Sequence, residues 1–316
     1  MRLEITSEFE IEDLGEIEMD VYDIETEDNH NFFGNGILVH NSCYFGLEPV
    51  VTKFFNNDAT SVKVKKLEKI AVDILQNEVN KIVSNACTQM NVYENKLTFK
   101  LEAVGDKSVF LAKKRYAIRA HSSEGVTYAK PKYKVVGMDM VKSSTPHFIR
   151  GKLRETLPLI FDSTESEVQS FLAESRKEFD TLPPDQIAFP RGVNGLEEYA
   201  DEKNVYKKGA GVSTPIHVRG SLLYNSYIKR NNLVGKYPLI TSGSKIRFLY
   251  LKMPNSIKEN VIAFPADDTL PTEFGLDKYI DRDLQWDKTM IASTQNILDA
   301  IDWSAIEQSS LDDFFG

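Results

Sequence analysis

Residues 21–42 read VYDIETEDNHNFFGNGILVHNS and end in His40-Asn41-Ser42, an order of residues that can support cleavage of the peptide chain. An asparagine side chain can attack its own C-terminal peptide carbonyl, which closes a succinimide ring and cuts the chain. This reaction is very slow unless a fold orients the asparagine and an acid protonates the leaving amine. His40 and the upstream His30 are suitable acids and bases because imidazole titrates near neutral pH. The segment therefore predicts a rigidly held, self-splicing junction in which Ser42 receives an acyl group.

The same segment resembles the C-terminal end of inteins, because Asp23, His30, His40, Asn41 and Ser42 fall in register with the intein pattern. The resemblance implies that Asn41 cyclises with help from His40, and that Asp23 and His30 tune the earlier acyl transfers. It also implies that Ser42 accepts the upstream segment as an ester, which then rearranges to an amide. An accidental His-Asn-Ser in a β-rich segment is the alternative interpretation.

The local pattern before Ser42 agrees with an all-β splicing module. Residues 3–11 and 19–25 alternate apolar and polar side chains, which is typical of strands. Asn35-Gly36 is a strong hairpin signal, and the apolar run Ile37-Leu38-Val39 follows it. An intein also needs an N-terminal nucleophile and a Thr-x-x-His element, and neither precedes Val21. We therefore expect residues 1–41 to be the C-terminal piece of a split intein that works with a partner chain.

Charge is divided unevenly along the chain. Residues 1–41 hold twelve acidic residues and one basic residue, Arg2, so their net charge is −11. The whole chain has 38 basic and 47 acidic residues, a net charge of −9, which leaves +2 for residues 42–316. Because complementary charge speeds association, the missing intein piece on the partner is expected to be strongly basic.

Length and composition limit the class of protein. A chain of 316 residues suggests two or three domains with ample core. Hydrophobic content of 41% and charged content of 27% are ordinary for a soluble globular protein. The sequence has no apolar run near the roughly 20 residues of a membrane span and no signal peptide pattern. Cys43 and Cys87 give neither a disulfide framework nor a metal-ligand spacing, so a cytoplasmic protein without a membrane partner is expected.

After Ser42 the sequence predicts alternating helical and extended blocks. Residues 43–51, CYFGLEPVV, are typical of an apolar strand interrupted by Pro49. Residues 60–90 predict a long helix whose lysines form a solvated face, preferred over a DNA contact. Strands are expected over 96–104, 108–120 and 126–133. The apolar stripe of the helix comprises Val64, Leu67, Ala71, Ile74, Leu75, Val79 and Ile82, opposite Lys65, Lys66 and Lys69, with Lys63 nearer the edge of the stripe.

Three consecutive cations precede a tyrosine at Lys113-Lys114-Arg115-Tyr116, inside the second of these expected strands. Strand alternation would put Lys113 and Arg115 on one face and Lys114 and Tyr116 on the other, an arrangement that suits a phosphate backbone. The motif alone is a weak signal, because many surface strands carry two lysines.

Three longer stretches resemble, in order, the C-terminal third of family B DNA polymerases, especially the replicative polymerases of T-even-like phages. They read LEAVGDKSVFLAKKRYA, TYAKPKYKVVGMDMVKSSTP and TPIHVRGSLLYNSYIKR, and the resemblance covers nearly all of residues 42–316. It implies that Lys113, Lys114, Arg115 and Tyr116 lie in the palm and contact the primer–template. It also implies that the segment with Lys130, Lys132 and Ser143 to Pro146 leads from palm to thumb, where Lys130 and Lys132 are DNA-binding candidates.

The resemblance places an acidic residue near the polymerase metal site, and Glu102 matches it. Phage relatives have a second acid two residues earlier, where this chain has Lys100. In the family, a palm turn Asp-Thr-Asp-Ser carries an aspartate that binds the catalytic magnesium ions, and Ser42 fits the residue after it. Two Mg²⁺ ions are therefore expected in the assembled polymerase, with their carboxylate ligands on the partner. This chain alone is not expected to polymerise.

Beyond residue 146 the pattern is mainly helical. Helices are predicted over 147–161 and 165–182, and Pro183-Pro184 should end the second. Residues 217–230 resemble the thumb element that grips duplex DNA, with contacts expected from Arg219, Lys229 and Arg230. Simple surface charge at these three residues is the alternative. The expected core residues are Phe148, Leu153, Leu157 and Ile160. The remaining expected elements are an irregular stretch over 185–212, a strand over 245–253, a short apolar run over 260–265 and a last helix over 283–301.

The C-terminal tail ends in Leu311, Phe314 and Phe315. Aromatic side chains at an extreme terminus favour docking into a partner's pocket. The resemblance to T-even-like polymerases implies that this partner is the sliding clamp. A tail folded onto its own thumb is the alternative.

Together these patterns predict a multidomain α+β chain. Residues 1–41 would be a β-rich Hint (intein) piece, 42–147 the C-terminal part of an α+β palm, and 148–316 a mainly helical thumb with a clamp-binding tail. The expected function is the C-terminal half of a replicative DNA-directed DNA polymerase, joined to its N-terminal half by trans-splicing in an infected bacterial cytoplasm. Its expected partners are that N-terminal fragment, primer–template DNA, deoxynucleoside triphosphates and the sliding clamp. A non-catalytic DNA-binding subunit and a cleavage-only Hint domain are the alternatives.

Overall fold

The computed structural model describes the backbone of two short strands, β1 (Phe32–Gly34) and β2 (Ile37–Val39), and then residues 44–209 and 213–307. The chain divides into two compact units, Met1–Gly137 and Met138–Gly316. Strands β1 and β2 pair antiparallel with Gly34 opposite Ile37, which confirms the predicted hairpin. The strands predicted at 3–11 and 19–25, the splicing residues and the clamp-binding tail lie outside the described residues.

The first unit continues with three helices, α1 (Glu48–Phe54), α2 (Thr60–Ile70) and α3 (Gln76–Gln89). A π-helical turn, Ala71–Leu75, joins α2 to α3, so the predicted long helix is confirmed. The residues of its apolar stripe are buried or half-buried, whereas Lys65, Lys66 and Lys69 are exposed as expected.

The strand predicted over 43–51 is wrong, because residues 44–47 belong to no regular element and helix α1 follows them. Pro49 lies in the first turn of α1. At that position its missing N–H costs nothing and its fixed φ suits a helix. Glu48 adds a negative charge near the positive end of the helix dipole, which also favours helix over strand.

A three-stranded antiparallel sheet completes the first unit, formed by β3 (Ala103–Ala112), β4 (Arg115–Ser123) and β5 (Val126–Val136) in sequence order. The single strand predicted over 108–120 is wrong, since the chain turns back between β3 and β4. The strand predicted over 96–104 begins only at Ala103. Residues 96–102 have no strand beside them in the described part of the chain, and helix side chains bind their backbone instead.

The second unit opens with two long helices, α4 (His147–Asp162) and α5 (Glu165–Thr181), both as predicted. Leu153, Leu157 and Ile160 are buried in its core, and Phe148 is half-buried. Thr164 and Glu167 form a capping box at the start of α5. The helix ends before Pro183-Pro184, which confirms the predicted stop.

The remainder of the second unit combines short elements, a small sheet and further helices. The sheet is antiparallel, in the order β10 (Val261–Pro265), β9 (Lys245–Tyr250) and β6 (Phe189–Gly192). Helix α8 (Ile216–Arg230) packs on β10 so closely that a Cβ on Gly220 would lie 3.0 Å from the Ala263 nitrogen. The stretch predicted to be irregular contains only short elements. They are α6 (Pro184–Ile187), β6 (Phe189–Gly192), α7 (Leu196–Tyr199), β7 (Ala200–Asp201) and β8 (Val205–Tyr206). Next come α8 (Ile216–Arg230), β9 (Lys245–Tyr250) and β10 (Val261–Pro265). The last helix follows as α9 (Arg282–Trp286), a π turn (Asp287–Ile291) and α10 (Ala292–Leu298).

The chain is thus a mixed α and β protein, as predicted. The assignment of Hint, palm and thumb to its parts stays a prediction. None of the helices in the described ranges is long and apolar enough to cross a membrane.

Candidate nucleic-acid interface

The tip of the β3–β4 hairpin carries two exposed lysines, Lys113 and Lys114. Ala112 pairs with Arg115, so the two lysines alone form the turn, and Lys114 has a left-handed φ of 56°. The predicted placement of these cations on opposite strand faces is therefore wrong. A two-residue turn leaves the even–odd alternation of the sequence unchanged, and this one lacks the glycine or asparagine that usually marks it.

The other two residues of the motif lie further inside the sheet. Tyr116 is only 8% exposed, and its ring lies 5.5 Å from that of Phe110, which in turn contacts the ring of Tyr44 at 4.7 Å. Burial, and then the charge of Glu102, raise the pKa of the Tyr116 phenol. Arg115 is half-buried, and its Nε has no hydrogen-bond partner among the described residues. Tyr116 therefore packs at the base of the hairpin and contributes little to the exposed surface of the hairpin.

Gly137 allows the end of β5 to approach the lysine turn. Its φ is +63°, and a Cβ built on it would lie 1.9 Å from the carbonyl oxygen of Lys114. Only glycine tolerates both that backbone conformation and that contact. The position of the lysine turn therefore depends on a residue more than twenty positions away in the sequence.

Glu102 stands just before β3 and forms an ion pair with Lys134 on β5. Its carbonyl oxygen accepts hydrogen bonds from the Glu124 amide at 2.8 Å and the Ser123 hydroxyl at 3.1 Å. Among the described residues there is no group of three or more His, Cys, Asp or Glu side chains that could hold a metal. Mg²⁺ requires about six oxygen ligands, so Glu102 and its neighbours do not by themselves fit a magnesium site.

An open groove of about 500 Å³ follows β5 and the end of β4, and it combines aromatic with cationic side chains. The Lys132 ammonium lies 4.4 Å from the centre of the Tyr128 ring. Aromatic rings beside cations suit single-stranded nucleic acid, because bases stack and phosphates pair. Lys130 is exposed on the same strand. The lining residues are Ala120, Ser123, Glu124, Val126, Tyr128, Lys132, Tyr133 and Lys134.

Sequence reasoning named Lys130 and Lys132 but missed Lys134, Tyr128 and Tyr133. Lys134 and Tyr128 share the even positions of β5 with the two lysines, so strand alternation was a signal that could have found them. Tyr133 carries no such signal, because it is an odd position of β5 and still lines the groove.

Asp106 on β3 lies beside two side chains of β4, Arg119 and His121. Arg119 Nε and Nη2 donate to its two carboxylate oxygens at 2.8 and 2.6 Å. His121 Nε2 lies 3.2 Å from one oxygen, although not in hydrogen-bonding geometry. Burial opposes ionisation of this carboxyl, yet Arg119 and His121 outweigh it and lower its pKa to about 2. This cluster fastens β3 to β4 below the lysine turn.

The three thumb candidates of the second unit differ in their surroundings. Arg219 Nη2 donates a hydrogen bond to Asn260 Oδ1 at 2.6 Å, and the guanidinium carbon lies 5.9 Å from the centre of the Tyr206 ring. The Nε of Arg219 is buried and has no hydrogen-bond partner in the described structure. Lys229 and Arg230 are exposed in the last turn of α8, where cations favour the helix dipole. Arg219 thus has a packing role, and Lys229 and Arg230 are the accessible cations.

The chain matches no protein-family model. It is 29% identical over 262 residues to the DNA-directed DNA polymerase of Enterobacteria phage T4, an alignment that covers 80% of this chain and 27% of that polymerase. It is 27% identical over 286 residues to the DNA-directed DNA polymerase of Escherichia phage RB69, covering 87% of this chain and 31% of the relative. The chain is similar to one segment of phage DNA polymerases. This agrees with the resemblance predicted for residues 42–316, whereas the resemblance to inteins stays a prediction.

Proposed function

We propose that this chain supplies the C-terminal, DNA-holding part of a phage DNA-directed DNA polymerase. The similarity over most of the chain to two phage polymerases carries this proposal. The chain spans about a quarter to a third of the length of these curated relatives, so the activity belongs to an assembly that includes further polymerase segments. Its substrates would be primer–template DNA and deoxynucleoside triphosphates.

Within this proposal, Lys113 and Lys114 contact the phosphate backbone from the hairpin tip, and Arg115 and Tyr116 hold the tip in place. Lys130 and Lys132 add cations along β5. In the second unit, Lys229 and Arg230 contact duplex DNA, and Arg219 shapes the helix that carries them. Phosphate contacts without base readout suffice for a polymerase, which must hold every sequence equally.

We further propose that the polymerase is completed by protein trans-splicing at Asn41 and Ser42. The support is the register of Asp23, His30 and His40 with the intein pattern, and the strongly acidic character of residues 1–41. The two magnesium ions of the assembled enzyme would be held mainly by carboxylates of the partner, with Glu102 nearby. The tail residues Leu311, Phe314 and Phe315 would attach the polymerase to its sliding clamp.

The DNA-holding role is tested by fluorescence anisotropy of a labelled primer–template with the full chain. We expect Lys113→Ala/Lys114→Ala to weaken binding several-fold. The slope of log K against log salt should also become shallower by about 2, because each lysine neutralises one phosphate.

The matched control removes the same charge from the exposed face of α2 as Lys65→Ala/Lys69→Ala. This control should bind DNA like the unmodified chain. Equal weakening by both variants would mean that only net charge matters, and the proposed contact at the hairpin tip would then be wrong.

A further inference from the structure

The positive charge that follows Ser42 is concentrated in the first unit. Residues 42–137 contain sixteen lysines and arginines and nine acidic residues, a net charge of +7, whereas residues 138–316 contain 21 and 26, a net charge of −5. The most acidic stretch of the chain, residues 1–41 with a net charge of −11, is joined directly to this basic stretch and belongs to the same compact unit. Opposite charges so close together attract each other.

The chain that leaves the acidic stretch meets one face of the β3–β4–β5 sheet. The Tyr44 hydroxyl lies 3.0 Å from Ser108 Oγ, and its ring lies 4.7 Å from that of Phe110. On this sheet Ser108 is opposite Ile118, and Ile118 is opposite Lys134. Residues directly opposite each other project from the same face. Tyr44 and Lys134 therefore share one face of the sheet.

That face also carries the exposed cations of β5. Lys132 is exposed and lies opposite Ala120 on β4, two positions along the strand from Lys134. Lys130 is exposed two residues earlier on the same strand. Neighbouring strands are about 4.8 Å apart, so β5 lies about 10 Å from β3, the strand that Tyr44 contacts.

The end of the acidic stretch returns to this part of the unit. Strand β1 lies against helix α3. Side chains of α3 bind the backbone of Phe99 and Leu101, directly before β3. The next residue, Glu102, forms the ion pair with Lys134 on β5. Strand β1 is therefore close to the end of the sheet at which the cations of β5 lie.

Three acidic residues precede β1 in the sequence and are called the acidic run below. They are Glu25, Glu27 and Asp28, which lie outside the described residues, four to seven positions before Phe32. An extended chain spans about 3.5 Å per residue, so the acidic run lies within about 25 Å of β1. Single exposed ion pairs are weak, but a short tether keeps the local concentration of carboxylates high.

We propose that the acidic run docks on Lys130 and Lys132 and occupies these cations until splicing removes residues 1–41. The consequence for DNA rests on the proposed function, in which the same two lysines contact phosphates. Excision of the acidic stretch then makes β5 available to the primer–template. The unligated chain holds DNA less tightly than its own cations would allow, and the ligated polymerase is released from this competition.

Carbodiimide cross-linking of the full chain without DNA, followed by mass spectrometry, tests the docking. The reagent joins a carboxylate to a lysine amine that it contacts, so the ion pair of Glu102 with Lys134 is an internal control. We expect further cross-links from the acidic run to Lys130 or Lys132 within single chains. Cross-links of the control pair alone would overturn the proposal. Cross-links to β5 found only in dimers would place a second copy there and would also overturn it.

Fluorescence anisotropy of a labelled primer–template tests the effect on DNA binding. The variant Glu25→Gln/Glu27→Gln/Asp28→Asn should bind DNA at least about threefold more tightly than the unmodified chain. Its slope of log K against log salt should be steeper by up to about 2, because two lysines become available to phosphates. In this background, Lys130→Ala/Lys132→Ala should weaken binding several-fold more than it does in the unmodified chain.

The matched control removes three negative charges from exposed residues of the second unit, as Glu174→Gln/Glu202→Gln/Asp267→Asn. This control should leave the effect of the two β5 substitutions as it is in the unmodified chain. Equal tightening of DNA binding by the two triple variants would mean that only net charge matters, and it would contradict the docking.

Failure of this inference differs from failure of the proposed function. DNA binding that depends on Lys113 and Lys114 but does not respond to neutralising the acidic run would leave the DNA-holding role intact and overturn the inference. Cross-links to Lys130 or Lys132 in a chain that does not bind primer–template would support the docking and contradict the DNA-holding role.

Discussion

Among single residues, Asp106 is held ionised by two side chains of the neighbouring strand. Arg119 and His121 outweigh the effect of burial and lower its pKa to about 2 from an ordinary value of 3.8. A carboxyl with a depressed pKa stabilises the fold above its ordinary pKa, and this contribution is lost as the pH falls through its folded value. The relevant window lies between about pH 4 and pH 2.

We therefore expect Asp106→Asn to unfold more easily than the unmodified chain at pH 6, by about 1 kcal/mol for a partly exposed pair. The difference should shrink as the pH is lowered from 5 to 2, because the unmodified chain then loses the same interaction by protonation. Urea unfolding at several pH values measures it. A difference that stays constant over this range would contradict the pairing described for Asp106.

The residue types of the candidate interface stand out in the sequence, but the exposure of each side chain does not. Lys113 to Tyr116 were predicted to be contacts on alternate strand faces. The turn at Lys113 and Lys114 leaves the even–odd alternation of apolar and polar residues unchanged and contains no glycine, so no local sequence signal marks it. Lys114 adopts its left-handed conformation because the pairing of β3 with β4 and the approach of Gly137 determine it, and these are long-range contacts.

At the scale of elements, the lysine turn depends on the close approach of β5. Gly137→Ala should destabilise the chain by more than the cost of positive φ alone, because its Cβ would lie 1.9 Å from the Lys114 carbonyl oxygen. The turn must shift to relieve this contact. We expect a lower melting temperature together with weaker primer–template binding, measured by calorimetry and anisotropy.

Gly125→Ala is the matched control for this prediction. Gly125 has a φ of +79°, yet a Cβ built there meets no atom within 4 Å. This variant should cost about 1 kcal/mol from backbone strain only. If Gly125→Ala and Gly137→Ala were equally stable and bound DNA equally well, the steric role assigned to Gly137 would be refuted.

Helices were predicted correctly where the hydrophobic periodicity extends over several turns. The predictions were wrong where a neighbouring strand or a proline determines whether a segment is a strand or a helix. The stripe from Val64 to Ile82 and the helices on either side of Thr164 were predictable because several turns agree. The strand assigned around Pro49 is a helix, because proline at a first helical turn is favourable. The strand assigned from residue 96 begins only at Ala103, because a strand requires a neighbour and the sequence pattern cannot say whether one is present.

At the scale of the whole molecule, the charge division predicts how the chain meets its partner. Residues 1–41 carry a net charge of −11, so we expect association with a basic intein piece to be steered by electrostatics. The association rate, measured by stopped-flow fluorescence, should fall steeply as salt is raised, while the dissociation rate changes less. An association rate that is insensitive to salt would contradict this expectation.

The proposed function of the whole chain follows mainly from sequence motifs, because His40-Asn41-Ser42 and KKRY are defined by residue type and order. The sequence could not place the partners of Glu102. The structure pairs it with Lys134, a contact between distant positions that no local pattern encodes. Under the proposed function, completion of a magnesium site would likewise depend on carboxylates of the partner and not on this chain's local sequence.

We propose that this chain is one part of a DNA polymerase that becomes active after it is joined to the rest. Template-directed primer extension with Mg²⁺ tests it, using the chain alone, the companion polypeptide alone and the purified ligated product. We predict extension by the ligated product and none by this chain, with Asn41→Ala yielding no product of ligated mass. Primer extension by the unligated chain, or a ligated product that does not extend primers, would contradict this proposal.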